Sequence, residues 1–187
     1  AMEELIEQRF FTAVLDLNLH ELVGEVIPDD IYKPFKPRLE SAIVMNLPLV
    51  IVPGSINYLV FGPPESIPPI YRGRKTHYHN PYNTNVRLSR EELLMVAEHL
   101  ASKLIKSKGN TVLIIPLKGF SALDVPGGPL YEPEDDLLFI EHLKKKVNKN
   151  KVNIVEVDDN INGPKTADMV ITWLCELLKK QHGILPC

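Results

Sequence analysis

Cysteine is scarce in this chain, with two in 187 residues: Cys175, on the apolar side of a helical stretch, and Cys187, the last residue. Neither has a histidine at metal-ligand spacing, so a disulfide framework and a zinc-finger pattern are both excluded as organising principles, and a reduced, intracellular protein is the simple account. Basic charge is not in excess either. Lysine and arginine number 21 against 24 aspartates and glutamates, a formal charge of −3, which gives no footing for a nucleic-acid or anionic-membrane surface. The one basic run, Lys144-Lys145-Lys146, falls where a helix should end and complements its dipole. No apolar stretch approaches the roughly 20 residues needed to span a bilayer, and the N-terminus lacks the basic-then-apolar layout of a signal peptide. These features lead to the expectation of a cytoplasmic protein with neither membrane nor nucleic acid as partner. There is no internal repeat and no low-complexity tract.

What is present is the make-up of one globular domain over residues 1–187, 44% hydrophobic and 24% charged. Four apolar runs, at 11–17, 47–52, 111–116 and 152–157, read as strands, and their near-continuous apolar character suits a parallel sheet covered on both faces. Between them lie helical stretches at 20–26 and 38–46, and a longer helix opened by the capping box Ser89-Arg90-Glu91-Glu92 and closed by Gly109. Another helix begins at Glu134-Asp135-Asp136, and a last one has Pro164 in its first turn. Residues 75–79 form a weak additional strand candidate. Strand and helix alternate, which predicts an α/β fold with right-handed crossovers, Rossmann-like in its three layers.

In open parallel sheets, ligands bind beyond the carboxyl ends of the strands. Four polar or Gly/Pro-rich segments follow the predicted strands, at 16–21, 53–87, 118–124 and 158–162. The longest, 53–87, is broken by prolines and glycines yet carries enough apolar side chains to be ordered, and it reads as an irregular functional loop. Gly54-Ser55 and Lys118-Gly119-Phe120-Ser121 each set a glycine and then a hydroxyl beside a strand end. Anion contact and plain turn chemistry both fit them. Arg72, Arg74 and Arg87 flank His77-Tyr78-His79-Asn80, an arrangement suited to clamping an acidic ligand or to holding the loop by ion pairs. His77 and His79 could share a metal only with a third ligand that no spacing supplies, so no metal is assigned. Among the carboxylates near strand ends, Asp16 and Asp124 are candidates for ligand or proton chemistry. Tyr58 and Phe61 either stack on a ring or cover the core.

The runs PGSINYLVFGPPESIP, YRGRKTHYHNPYNTNVRLSREE, PLKGFSALDVPGGPLYEPEDD and DDNINGPKTAD, in that order, resemble the C-terminal half of the uncharacterised Tm-one-like ATP-binding protein family, which includes the tomato mosaic virus resistance protein. The likeness covers nearly the whole chain. It implies two Rossmann-like domains in tandem with ATP or another nucleotide held mainly by the first, a domain this chain lacks together with the opening strand–helix–strand unit of the second. Association with that missing domain, or a homo-oligomer, is the corresponding expectation for partners. Gly54, Asn57, Phe61, Gly62, Arg74, His79, Asn80, Arg87, Gly119, Ser121, Asp124, Asn162 and Pro164 fall on matching positions. Asp16 and Glu21 match too, whereas Asn18 and His20 depart from the family pattern.

The candidate ligand-binding residues are therefore Asp16, Gly54, Ser55, Asn57, Arg74, His79, Asn80, Arg87, Lys118, Gly119 and Ser121, expected around one concavity. Function stays open between a module binding a small anionic or nucleotide-like ligand and an enzyme domain acting on a small acidic metabolite. In the second case Asp124 or His79 is the acid–base group and Arg74 and Arg87 are the clamp. A dimerisation scaffold is the third reading.

Overall fold

A computed structural model describes residues 2–183; Cys187 and the side chain of His182 lie outside the described residues. The elements run α1 (Met2–Glu7), β1 (Val14–Asp16), α2 (His20–Val26), α3 (Glu40–Val44), β2 (Leu49–Ile51), β3 (Tyr58–Phe61), β4 (Thr76–Asn80), β5 (Asn83–Arg87), α4 (Arg90–Leu104), β6 (Thr111–Pro116), α5 (Pro133–Lys146), β7 (Val152–Val157) and α6 (Pro164–His182). Short 3-10 turns occupy Pro64–Ser66 and Pro69–Tyr71.

β1, β2, β6 and β7 form a parallel sheet in that order. All six residues of β6 are buried, as a central strand covered on both faces requires. Successive side chains alternate between two cores: Val112 and Ile114 join Val170 and Leu177 of α6, while Leu113 and Ile115 join the cluster built from α1 to α5. Helices thus lie on both faces of the sheet, giving the three-layer α/β arrangement expected of a Rossmann-like fold. The capping box holds α4 as its sequence specifies. Ser89 Oγ accepts from the Glu92 amide at 3.3 Å, and the Glu92 carboxylate accepts from the Ser89 amide at 2.7 Å.

The stretch at 53–87 is not an irregular loop. It folds into a second, antiparallel sheet of order β3-β5-β4, with Leu59 opposite Val86 and His77 opposite Asn85. Prolines interrupt its periodicity; β4 bears out the strand candidate at 75–79, its pairing supplied across a tight Pro81-Tyr82 turn by β5, which the sequence reading did not single out. The register shifts between Tyr78 and Asn80, leaving His79 as a bulged residue. Two other elements are shorter than their apolar runs suggest: residues 11–17 contribute only Val14–Asp16, and residues 38–46 only Glu40–Val44.

The face carrying α4 and α5 also grips the loop after β6. Phe139 of α5 is fully buried and meets Phe120 edge-on, with ring centroids 5.4 Å apart. Phe139→Ala is expected to lower unfolding free energy by about 3–5 kcal/mol, read from urea denaturation with an unchanged slope. A loss under about 1 kcal/mol would show that this contact does not hold the loop.

Candidate functional site

Backbone hydrogen bonds lace the strand-end loops together. The Leu19 amide donates to the Gly54 carbonyl at 2.9 Å, the Ser55 amide to the Phe120 carbonyl at 2.8 Å, and the Ile161 amide to the Gly119 carbonyl at 3.0 Å. All four segments predicted to follow strands therefore meet at one end of the parallel sheet. Glycine is required at two of these crossings. A Cβ on Gly54 would collide with the Leu17 carbonyl and the Ile161 side chain, and Gly119, at φ +122°, has the Asp124 carbonyl where a Cβ would stand. Ser55 is held in the left-handed region at φ +57°, an uncommon conformation for a residue with a side chain.

Above this junction, between the two sheets, lies a cleft with two adjoining compartments. One, of about 420 Å³, is walled by Asn18, His20, Tyr32, Tyr58 and Asn83; the other, of about 340 Å³, extends to Ser55, Phe120, Ser121 and Asn162. Asn18, Tyr58, His79 and Asn85 line both. His79 reaches this wall from the β4 bulge. His20 opens α2 and is fixed from both ring nitrogens: Nδ1 lies 2.8 Å from the Ser55 carbonyl oxygen and Nε2 lies 3.1 Å from Asp30 Oδ2. Both partners are acceptors, a backbone carbonyl and a carboxylate. Asp30 is buried and also accepts from the amides of Val60 and Tyr32, at 2.8 and 2.7 Å. The His20 ring stacks on Tyr58, with centroids 5.1 Å apart and planes at 28°, and meets Tyr32 edge-on. Burial raises the pKa of the Tyr58 hydroxyl, keeping it a neutral donor.

The candidates drawn from sequence divide between wall and interior. Ser55, His79 and Ser121 line the cleft, with Gly54 and Gly119 shaping its floor. Asn80 closes the β4–β5 turn by accepting from the Tyr82 amide. Lys118 pairs with Asp158 on the surface at 2.8 Å. Arg74 makes a two-pronged contact with Glu92 and lies over the Tyr71 ring, outside both compartments. Asn57 is fully buried, and its amide has no protein partner among the described residues. Asp16 is engaged by Arg38 at 2.5 Å, and burial pushes its carboxyl up to about 6.

Arg87 and Asp124, expected from sequence as part of a clamp and as an acid–base group, line neither compartment. Both are inside the protein. Arg87 Nη1 contacts Asp124 at 3.4 Å and the Leu130 carbonyl at 3.2 Å, while Nη2 bonds Asp136 at 2.6 Å. Asp124 is fully buried and accepts from the Phe120 amide at 3.0 Å, so it holds the loop shape. Asn18, His20, Tyr32, Asn83 and Asn85 complete the wall without having been singled out as ligand contacts. For Asn18 and His20 the available signal was their place directly after a strand end, which their departure from the family pattern obscured.

Residues 1–178 match the model of the Uncharacterised protein family (UPF0261) C-terminal domain. The chain belongs to this family. It is similar to a UPF0261 protein of Clostridium tetani, 36% identical over 180 residues that cover 96% of this chain and 44% of the relative. It is also similar to a UPF0261 protein of Rhizobium meliloti, 30% identical over 172 residues covering 91% and 43%. A third relative is the ToMV resistance protein Tm-1(GCR237) of Solanum lycopersicum, 29% identical over 185 residues, covering 98% of this chain and 24% of that protein. The chain thus spans less than half the length of these relatives.

Beneath the cleft, this UPF0261 domain buries two carboxylates against one guanidinium. Loss of solvent raises both Asp124 and Asp136, and Asp136, with the Asp124 charge beside it, is pushed up to about 8. Asp124 has the backbone amide of Phe120 to stabilise its anion, which leaves the shared proton on Asp136. A carboxyl raised on folding binds a proton that the unfolded chain has released. Its stabilising effect is complete below an unfolded pKa of about 4 and is lost as pH rises through about 8. Unfolding free energy should therefore fall across that window, with Asp16 contributing to the lower half of it. Asp136→Asn keeps an acceptor for Arg87 without the titration and should reduce the fall by roughly 3 kcal/mol. Chemical denaturation of both proteins at several pH values tests this; parallel profiles would rule out Asp136 as the proton carrier.

Proposed function

We propose that this domain binds a small anionic or nucleotide-like ligand in the cleft at its strand ends, as one half of a two-domain nucleotide-binding protein. One observation carries the proposal: loops from all four parallel strands and the bulge of the second sheet converge on a single cavity lined by aromatic rings, amides and hydroxyls, the usual make-up of a small-molecule site. The match to a family described as a C-terminal domain, over less than half of the relatives' length, supports the two-domain part. Hydrogen-bonded pairing of β1 is on the β2 side only, and Leu15 and Leu17 are partly exposed at that margin. That margin suits association with the other domain or with a second copy.

His79 favours a second reading. It is the sequence-proposed acid–base candidate that stands on the cleft wall, so an enzyme acting on a small acidic metabolite would use His79 and not the enclosed Asp124. Native mass spectrometry of the purified protein identifies a retained ligand, and calorimetry with it separates wall from interior. His79→Ala and Ser121→Ala should each weaken binding by about 1–2 kcal/mol. Arg74→Ala should leave affinity unchanged. Wild-type affinity in both cleft variants would sink the proposed site, and turnover of the ligand lost in His79→Ala would select the enzymatic reading.

A further inference from the structure

We infer that the cleft takes a ring-bearing ligand of low charge, a nucleoside or nucleoside monophosphate, in preference to a polyphosphate; the inference rests on the binding reading above. The cations around the cleft already have partners. Arg38 pairs with Asp16 and Glu21, Arg74 with Glu92, Arg87 with Asp124 and Asp136, and Lys118 with Asp158. The His20 ring, for its part, is already engaged by the buried Asp30 at 3.1 Å. Glu21 also adds a partly exposed carboxylate to the wall of the larger compartment. A triphosphate, with three to four negative charges, would have to break several of these pairs or remain uncompensated at the floor. Ser55 and Ser121 offer neutral hydroxyls there, enough for a sugar or a single phosphate.

The upper compartment has the features that read a heterocycle. Tyr58, backed by the stacked His20 ring, provides a flat wall, and Tyr32 provides an edge. Amide groups surround it. Asn18 uses its oxygen on the His20 amide, and Asn83 uses its oxygen on the Tyr32 hydroxyl, which leaves both amide nitrogens as donors. Asn85 is more than nine-tenths buried and lines both compartments, with its amide committed to no other side chain among the described residues. An amide presents a donor and an acceptor side by side, the complement of a base edge.

Calorimetry on the whole chain, with the four common nucleosides, their 5′-monophosphates, ATP, and citrate as a ringless acid, tests the inference. At least one nucleoside or monophosphate should bind saturably, at least about tenfold more tightly than ATP, and Asn85→Ala should weaken it about tenfold. Asn83→Ala, at a less buried position, should weaken it in the same direction and guards against a folding defect in Asn85→Ala. ATP binding more tightly than the monophosphates would overturn the low-charge inference while leaving the binding reading intact. Citrate binding in the cleft with no nucleoside binding would overturn the ring and leave the anion site. No binding by any probe, together with no retained ligand in native mass spectrometry, would overturn both.

Discussion

Arg87 reaches from the end of β5 into the interior and ties together three parts of the chain that are far apart in sequence: its own antiparallel sheet, the loop after β6 through Asp124 and Leu130, and the first turn of α5 through Asp136. A guanidinium removed from water is costly unless its donors are met, and here two carboxylates and two backbone carbonyls meet the Nη donors, while Nε has no hydrogen-bond partner among the described residues. The cost of breaking such a cluster makes the relative placement of the two sheets stiff. The cleft lies between those sheets, so its shape follows from an ion cluster that does not line it.

The same logic extends outward. Asp30 holds His20, the Val60 amide and the Tyr32 amide at once, joining α2 to β3 beneath the larger compartment. Apart from the Glu21 carboxylate, the polar groups facing the cavity are amides, hydroxyls and rings. Neutral polar groups discriminate by geometry and the cost of leaving a partner unsatisfied, whereas charged groups attract at longer range.

Much of the architecture was legible in the chain itself. Continuous apolar runs announced β2, β6 and β7, and Ser89 with Glu92 announced α4, because burial and capping leave local marks in sequence. The second sheet left only the faint strand candidate at 75–79. β4 reads THYHN, polar throughout, and becomes a strand because β5 folds back on it across Pro81-Tyr82 and satisfies its backbone groups. Pairing of that kind is a property of two segments together, and no window on either one displays it.

The site divides along the same line. Sequence by itself determined where the strand-end loops begin, since glycines at 54 and 119 and hydroxyls at 55 and 121 stand beside strand ends whose apolar character is unmistakable. It could not say whether an arginine or aspartate near those loops faces solvent or protein. Arg74, Arg87 and Asp124 carry the same chemistry in either setting, and only the tertiary structure decided that one packs on Glu92 and the other two pair inside. His79 and Ser121 reached the cavity because a bulge in the β4–β5 hairpin and a laced loop turned them toward it, and the lacing of that loop depends on residues dozens of positions away. Burial is set by the whole packed chain, and with it the choice between a charge that binds and a charge that braces.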